Sequence, residues 1–177
     1  TWLKMVKNHG DKYGLSAYAD KINDDGKVSD SKARKEILNL RKDPEIASYM
    51  AAEFASDNYD YLKAHVGGQI DSTELYLAHF LGAGGAAGFL NAMKKSPNMT
   101  AADLFPKEAR TNRSVFYDSR SGAPRSLREI YAYFDKKFDG GTIIDQPQTI
   151  MTAANDDRTQ SLMAAKTSPI AFPYEND

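Results

Sequence analysis

From Asp71 to Ala86 the sequence reads Asp-Ser-Thr-Glu-Leu-Tyr-Leu-Ala-His-Phe-Leu-Gly-Ala-Gly-Gly-Ala, an apolar helical pattern that runs directly into glycines. The rest of the chain has to pack around this element. Asp71 can accept from the first free amides while Glu74 reaches back to the Asp71 amide, the reciprocal arrangement of a capping box, so the helix starts near Ser72. Ser72, Leu75, Tyr76, His79 and Phe80 recur on one helical face, and Leu77 and Leu81 supply a second apolar stripe. A helix apolar on two sides is expected to be buried. Gly82 can adopt the left-handed conformation that ends a helix, and Gly84 and Gly85 allow a turn or a close approach by a neighbouring helix or a ligand.

The other periodic segments are also helical. Trp2, Met5, Val6 and His9 share a face, with Gly10 and Gly14 closing a short first helix around a Trp2 core anchor. Ser29 or Asp30 caps a helix running to about Arg41, with Ala33, Ile37, Leu38 and Leu40 on its apolar side. Asp43-Pro44 pairs an N-cap with proline at the first helical position and opens a long helix to His65, which Gly67-Gly68 closes. Ala86 to Lys94 reads as a further helix ended by Ser96-Pro97, and Thr100 with Asp103 as a capping box. Ser126 caps a last helix with a Leu127, Ile130, Tyr131, Phe134 and Phe138 stripe that Gly140-Gly141 ends. The spacing therefore predicts an all-α fold with short connections.

After residue 139 the pattern changes. Prolines, scattered polar residues and no sustained period, apart from a short helical stretch near Asp156 to Lys166, mark 140–177 as an extended tail or linker that could dock a protein partner. Residues 1–139 form the helical domain.

Composition narrows the function classes. The 177 residues carry a net charge of −1, which provides no strong field for nucleic acid or anionic lipid. The chain contains no cysteine, so disulfides and thiolate metal sites are excluded. No apolar run is long enough to span a bilayer, and no signal-like start is visible. Asn23-Asp24-Asp25-Gly26 invites a calcium-loop reading. With Gly26 at the glycine position of such a loop, however, Lys21 and Lys32 fall where oxygen ligands are required. No metal and no cofactor is therefore expected.

Two carboxylates stand out. Ile46, Met50, Phe54 and Tyr61 share a face of the long helix, Asp57 lies in the same stripe and Glu53 at its edge. A carboxylate among apolar residues is expensive unless partnered, so Glu53 and Asp57 are the in-chain acids to place either beside a cleft or in rim pairs with Lys or Arg. His9, followed by glycine, reads as a helix C-terminal histidine interacting with the dipole. Arg110 and Arg113 are either surface cations or contacts for acidic peptides.

The run Ala78-His79-Phe80-Leu81-Gly82-Ala83-Gly84 resembles the Ala-Tyr-Asn-Ala-Gly-Pro-Gly signature of the soluble lytic transglycosylases, members of the lysozyme superfamily that cleave peptidoglycan. Ala78, Gly82 and Gly84 match it, and the block Leu75 to Leu90 is closer still to a phage and proteobacterial subgroup. Thr1-Trp2-Leu3 with His9-Gly10 and Lys12-Tyr13-Gly14-Leu15, and Asp43-Pro44-Glu45, are similar to further family segments, so the likeness spans roughly Thr1 to Phe138. His79 stands where the signature has tyrosine and Phe80 where it has asparagine.

The resemblance implies a lysozyme-like helical domain and a glycan-cleaving activity. One glutamic acid protonates the glycosidic oxygen between muramic acid and glucosamine, then takes the C6 hydroxyl proton to close an anhydro ring. In the family that acid belongs to a Glu-Ser pair preceding the Thr-Trp-Leu segment, so it is expected upstream of Thr1, and this chain alone is expected to be inactive. Tyr76, His79, Phe80, Gly82 and Gly84 would contribute the substrate-binding wall. The implied partners are peptidoglycan strands, with no nucleic acid and no membrane span, and the implied location is the periplasm, the cell envelope or a phage virion. The alternative is a non-catalytic helical module that binds peptidoglycan or assembles a phage or envelope machine.

Overall fold

The computed structural model describes residues 1–137, which are all-α apart from two isolated antiparallel bridges, Thr100 with Ser126 and Tyr117 with Pro124. The Phe138 end of the last stripe, the Gly140-Gly141 stop, the helical stretch near Asp156 and the whole 140–177 tail lie outside the described residues. No helix among the described residues is long and apolar enough to cross a membrane.

The helices are α1 (Trp2–His9), α2 (Ser16–Ala19), α3 (Ser31–Asn39), α4 (Pro44–His65), α5 (Ser72–Lys95), α6 (Ala101–Leu104), α7 (Pro106–Thr111), α8 (Arg113–Phe116) and α9 (Leu127–Asp135), with 3-10 turns at Gly10–Tyr13 and Leu40–Lys42. Local side-chain capping accounts for the starts of α3, α4, α5 and α9. Asp43 Oδ1 accepts from the Glu45 and Ile46 amides at 2.9 and 3.2 Å, and Asp30 Oδ1 from the Lys32 amide at 2.9 Å. Reciprocal boxes form at Asp71/Glu74 and Ser126/Glu129. The box expected at Thr100/Asp103 does not form: Asp103 bonds the Thr100 carbonyl rather than its side chain, and α6 is a single turn.

The described residues divide into two compact units, Thr1–Asp57 and residues 58–137. In the first, Trp2, Leu3, Met5, Val6, Leu15, Ile22, Ile37 and Met50 form the core, and the Trp2 indole donates to the Ile37 carbonyl at 2.9 Å. That bond satisfies the one polar atom of the largest core side chain while joining α1 to α3. In the second, α5 packs most extensively on α9, and Leu62, Leu77, Phe89, Phe116, Leu127, Ile130 and Phe134 are almost fully enclosed.

α5 differs from its sequence reading in two respects. Gly82 ends the first helical stretch, as expected, with the only non-helical backbone of the element, at φ 74° and ψ 158°, but the second stretch begins immediately beyond this kink rather than at Ala86. Gly84 and Gly85 have helical backbone and form no turn. Its most buried face also runs through Thr73, Glu74, Leu77 and Ala78, whereas Leu75, Tyr76, His79 and Phe80 are half-buried. The polar members of that face are kept by α9: Tyr131 donates to Glu74 Oε1 at 2.6 Å, and Thr73 donates to Asp135 at 3.0 Å. A buried carboxylate persists where donors replace its water.

Candidate functional site

The residues expected to face substrate lie on α5, in the second unit. Tyr76 packs against Phe134 with ring centroids 5.0 Å apart, and Phe80 meets Phe134 edge-on at 5.3 Å and Phe116 at 6.4 Å. One side of each ring therefore belongs to the core, leaving only the remainder for a ligand. His79 lies tilted 6.2 Å from Tyr76 and is half-buried.

The glycines separate by environment. Gly82 is exposed, a Cβ there would meet nothing within 4 Å, and its φ and ψ belong to a region only glycine enters readily. Backbone conformation, not space, requires glycine at this position. Gly84 is exposed and helical, and a Cβ on it would lie 3.7 Å from the Tyr61 hydroxyl. At Gly85 a Cβ would lie 3.0 Å from the Leu81 Cβ, so a side chain there requires Leu81 to give way.

Tyr61 is a surface residue that the sequence reading placed in an apolar stripe. It is 38% exposed and stacks on His65 with centroids 3.9 Å apart and planes 13° from parallel. The histidine is held by the Tyr61 carbonyl at Nδ1 (2.8 Å), and Asn91 of α5 donates to the His65 carbonyl at 3.1 Å. An i, i+4 Tyr/His pair on an amphipathic helix was the available signal. Together Tyr61, His65 and Gly84 form an aromatic surface next to a glycine that presents bare backbone.

A second polar constellation lies wholly within the first unit. His9 Nδ1 is 3.0 Å from Glu53 Oε2 and Nε2 is 2.9 Å from Asp57 Oδ2, carboxylates one turn apart on α4. Lys12 and Tyr13 add donors to Glu53 Oε1 at 2.9 and 2.8 Å, and Tyr13 stacks on Tyr49 at 4.4 Å. An imidazolium can donate to both carboxylates at once, whereas a neutral ring donates only once. His9 is thus a bridge from α1 to α4, in addition to standing at a helix end. The expected Lys pairing of Glu53 holds through Lys12, and Asp57 has histidine as its partner.

Partial burial opposes ionisation of Glu53. The hydrogen bonds from Lys12 and Tyr13, with the charges of His9 and Lys12, outweigh it and hold the carboxyl below the usual carboxylate range. The same contact acts oppositely on the phenol: burial first, then the bond to Glu53 and its charge, push Tyr13 up to about 12. Glu53 is therefore set up as a fixed acceptor. A general acid needs the reverse environment, with burial unrelieved by donors.

Arg113 lies over the Tyr117 ring at 4.4 Å, and Arg110 is exposed on α7. The Asn23–Lys27 stretch is a turn in which Asp25 accepts from the Lys27 amide at 3.0 Å and pairs with its ammonium at 2.9 Å. Among the described residues no group of three or more metal-ligating side chains converges. Compared with protein-family models, the chain matches none.

Proposed function

We propose that this chain forms the glycan-binding helical part of a peptidoglycan lytic transglycosylase domain. The observation that carries the reading is Gly82. In the block that resembles the family signature, the position of its first glycine has a backbone conformation that glycine alone tolerates. A motif glycine imposed by backbone geometry is more specific than one tolerated on a surface. The exposed Tyr61/His65 stack beside Gly84 adds a flat apolar face with a polar edge, suited to the C–H face and hydroxyls of a sugar ring.

In this reading the proton donor is the glutamate of the Glu-Ser pair that the family carries ahead of its Thr-Trp-Leu segment. Glu53 does not serve, because Lys12, Tyr13 and His9 keep it ionised. Residues 58–137 bind and orient the strand, with Tyr61, His65 and the Gly82 to Gly84 backbone against the sugar and the free sides of Tyr76, His79 and Phe80 extending the surface. The second reading, a non-catalytic peptidoglycan-binding or assembly module, is favoured by the same partnering of both in-chain acids.

Titration with chitooligosaccharides, followed by amide chemical shifts, tests the binding claim. Shifts centred on Tyr61, His65 and Gly82 to Gly84 are expected, and their absence at millimolar sugar overturns it. Incubation with purified sacculi should release no anhydromuropeptides from this chain alone. Release above a heat-killed control would reassign the acid to Glu53 or Asp57.

A further inference from the structure

Several cations of the described residues have charged or aromatic partners, and others, such as Lys32, Lys107 and Lys136, have neither. Lys7, Lys12, Lys27 and Arg125 sit against carboxylates, and Lys21, Arg113 and Lys137 lie over aromatic rings. Arg34, Lys35, Arg41 and Lys42 make neither kind of contact among the described residues, and all four are exposed. They line one groove of about 400 Å3, with Ser31, Leu38 and Asn39 completing its wall.

This groove is a local feature with its own charge and shape. Between Ser31 and Lys42 the chain carries Lys32, Arg34, Lys35, Arg41 and Lys42 against the single carboxylate of Glu36, whereas the whole chain is at −1. The flanking carboxylates are occupied elsewhere: Asp30 caps α3 and Asp43 caps α4. The concavity arises where α3 tightens into the Leu40–Lys42 turn. The Leu38 carbonyl then holds Arg41 Nε at 3.0 Å, so the guanidinium is partly oriented and both terminal nitrogens stay open to a carboxylate.

The spacing of these cations sets the ligand. Arg34 with Arg41, and Lys35 with Lys42, are seven residues apart, so their backbone positions lie about 10 Å apart along an axis that tightens from α to 3-10 geometry at Leu40. An extended peptide covers that distance in about three residues. The lining also includes Leu38 but no aromatic ring on which a base could stack, which weighs against a single-stranded nucleic acid.

We propose that the α3 groove binds a short acidic peptide with carboxylates about 10 Å apart, one against each Arg/Lys pair. Resting on the peptidoglycan reading above, its source is the carboxylate-bearing stem peptide of a glycan strand. The groove is then a peptide subsite built from residues of the first unit alone.

The test uses the full chain and three probes measured by calorimetry: an isolated stem peptide, the same peptide with its carboxylates amidated, and a polyphosphate of similar length. The stem peptide should bind with a Kd that rises with salt, and amidation should abolish binding. Arg34→Gln/Arg41→Gln should raise that Kd at least tenfold, Arg34→Lys/Arg41→Lys should recover part of the loss, and Lys107→Gln/Lys136→Gln should leave it unchanged. Equal binding of the amidated peptide, indifference to the arginine pair, or a polyphosphate Kd more than tenfold tighter would each overturn the assignment. Chitooligosaccharide binding, run in parallel, separates the two proposals. Sugar binding without peptide binding removes the groove alone, and peptide binding without sugar binding keeps an acidic-peptide site while removing its peptidoglycan source.

Discussion

The two compact units solve the same problem with different forces. Thr1–Asp57 surrounds a modest apolar core with a charge cluster in which His9, Lys12 and Tyr13 converge on Glu53 and Asp57. Residues 58–137 rely on a larger apolar and aromatic core, with Glu74 and Tyr131 as a partly buried polar pair. Burial and the bond to Glu74 push the Tyr131 hydroxyl above its ordinary range, so the phenol stays neutral and donates to Glu74. The difference teaches where solution conditions act: charge pairs respond to pH and salt, whereas apolar packing responds to neither directly.

The largest expected effect is in the second unit. Phe134 is 1% exposed and touches the rings of Tyr76, Phe80 and Tyr133. Phe134→Ala should destabilise the protein by about 3–5 kcal/mol, independently of salt, as read from denaturant midpoints. A loss below about 1 kcal/mol would break the contrast by showing that this core is loosely packed.

Gly82→Ala comes next. Its penalty of roughly 1–3 kcal/mol should be conformational, since a Cβ there meets no neighbour within 4 Å. A neutral Gly82→Ala would show that the kink is dispensable and would remove the observation on which the proposed function rests.

Glu53→Gln probes the first unit and should cost about 1–2 kcal/mol near neutral pH, less in high salt. The folded carboxyl titrates below its ordinary value near 4.5. Its contribution is therefore complete above that value and is lost as pH falls through the lower folded one, so wild type and variant should converge in acid. A gap that stays constant from neutrality into acid would mean that Glu53 acts by packing rather than by charge.

The smallest effect sharpens the comparison within α5. Gly84 is helical and its added Cβ would make only an ordinary 3.7 Å contact with Tyr61. Gly84→Ala should leave stability unchanged or raise it by up to roughly 1 kcal/mol. If Gly84 faces glycan, the same variant weakens chitooligosaccharide binding. Destabilisation with affinity per folded molecule intact would refute that role.

Much of the candidate site was partly legible in the sequence. Periodicity placed Tyr76, His79 and Phe80 on one face, yet their half-burial depended on α9, whose Phe134 and Tyr131 decide which side of α5 is inside. A helix with two apolar stripes does not specify which one wins. Tyr61 showed the same ambiguity: it fits the stripe of Ile46, Met50 and Phe54 but emerges at the surface. The basic groove left a trace as a run of cations, but its concavity needed the α3 helix to tighten at Leu40.

The sequence by itself determined the all-α character and the starts of α3, α4, α5 and α9, because caps are local. Asp43-Pro44, Asp71 with Glu74, and Ser126 with Glu129 act within one turn and need no distant partner. Only the tertiary structure decided the contacts of His9. Its carboxylate partners lie 44 and 48 positions away, and no local period encodes a hydrogen bond across that separation. The same holds for Glu74, whose role as a cap was readable but whose burial beneath Tyr131 was not. Capping is a property of neighbouring backbone, whereas the partner of a side chain depends on which helices pack together.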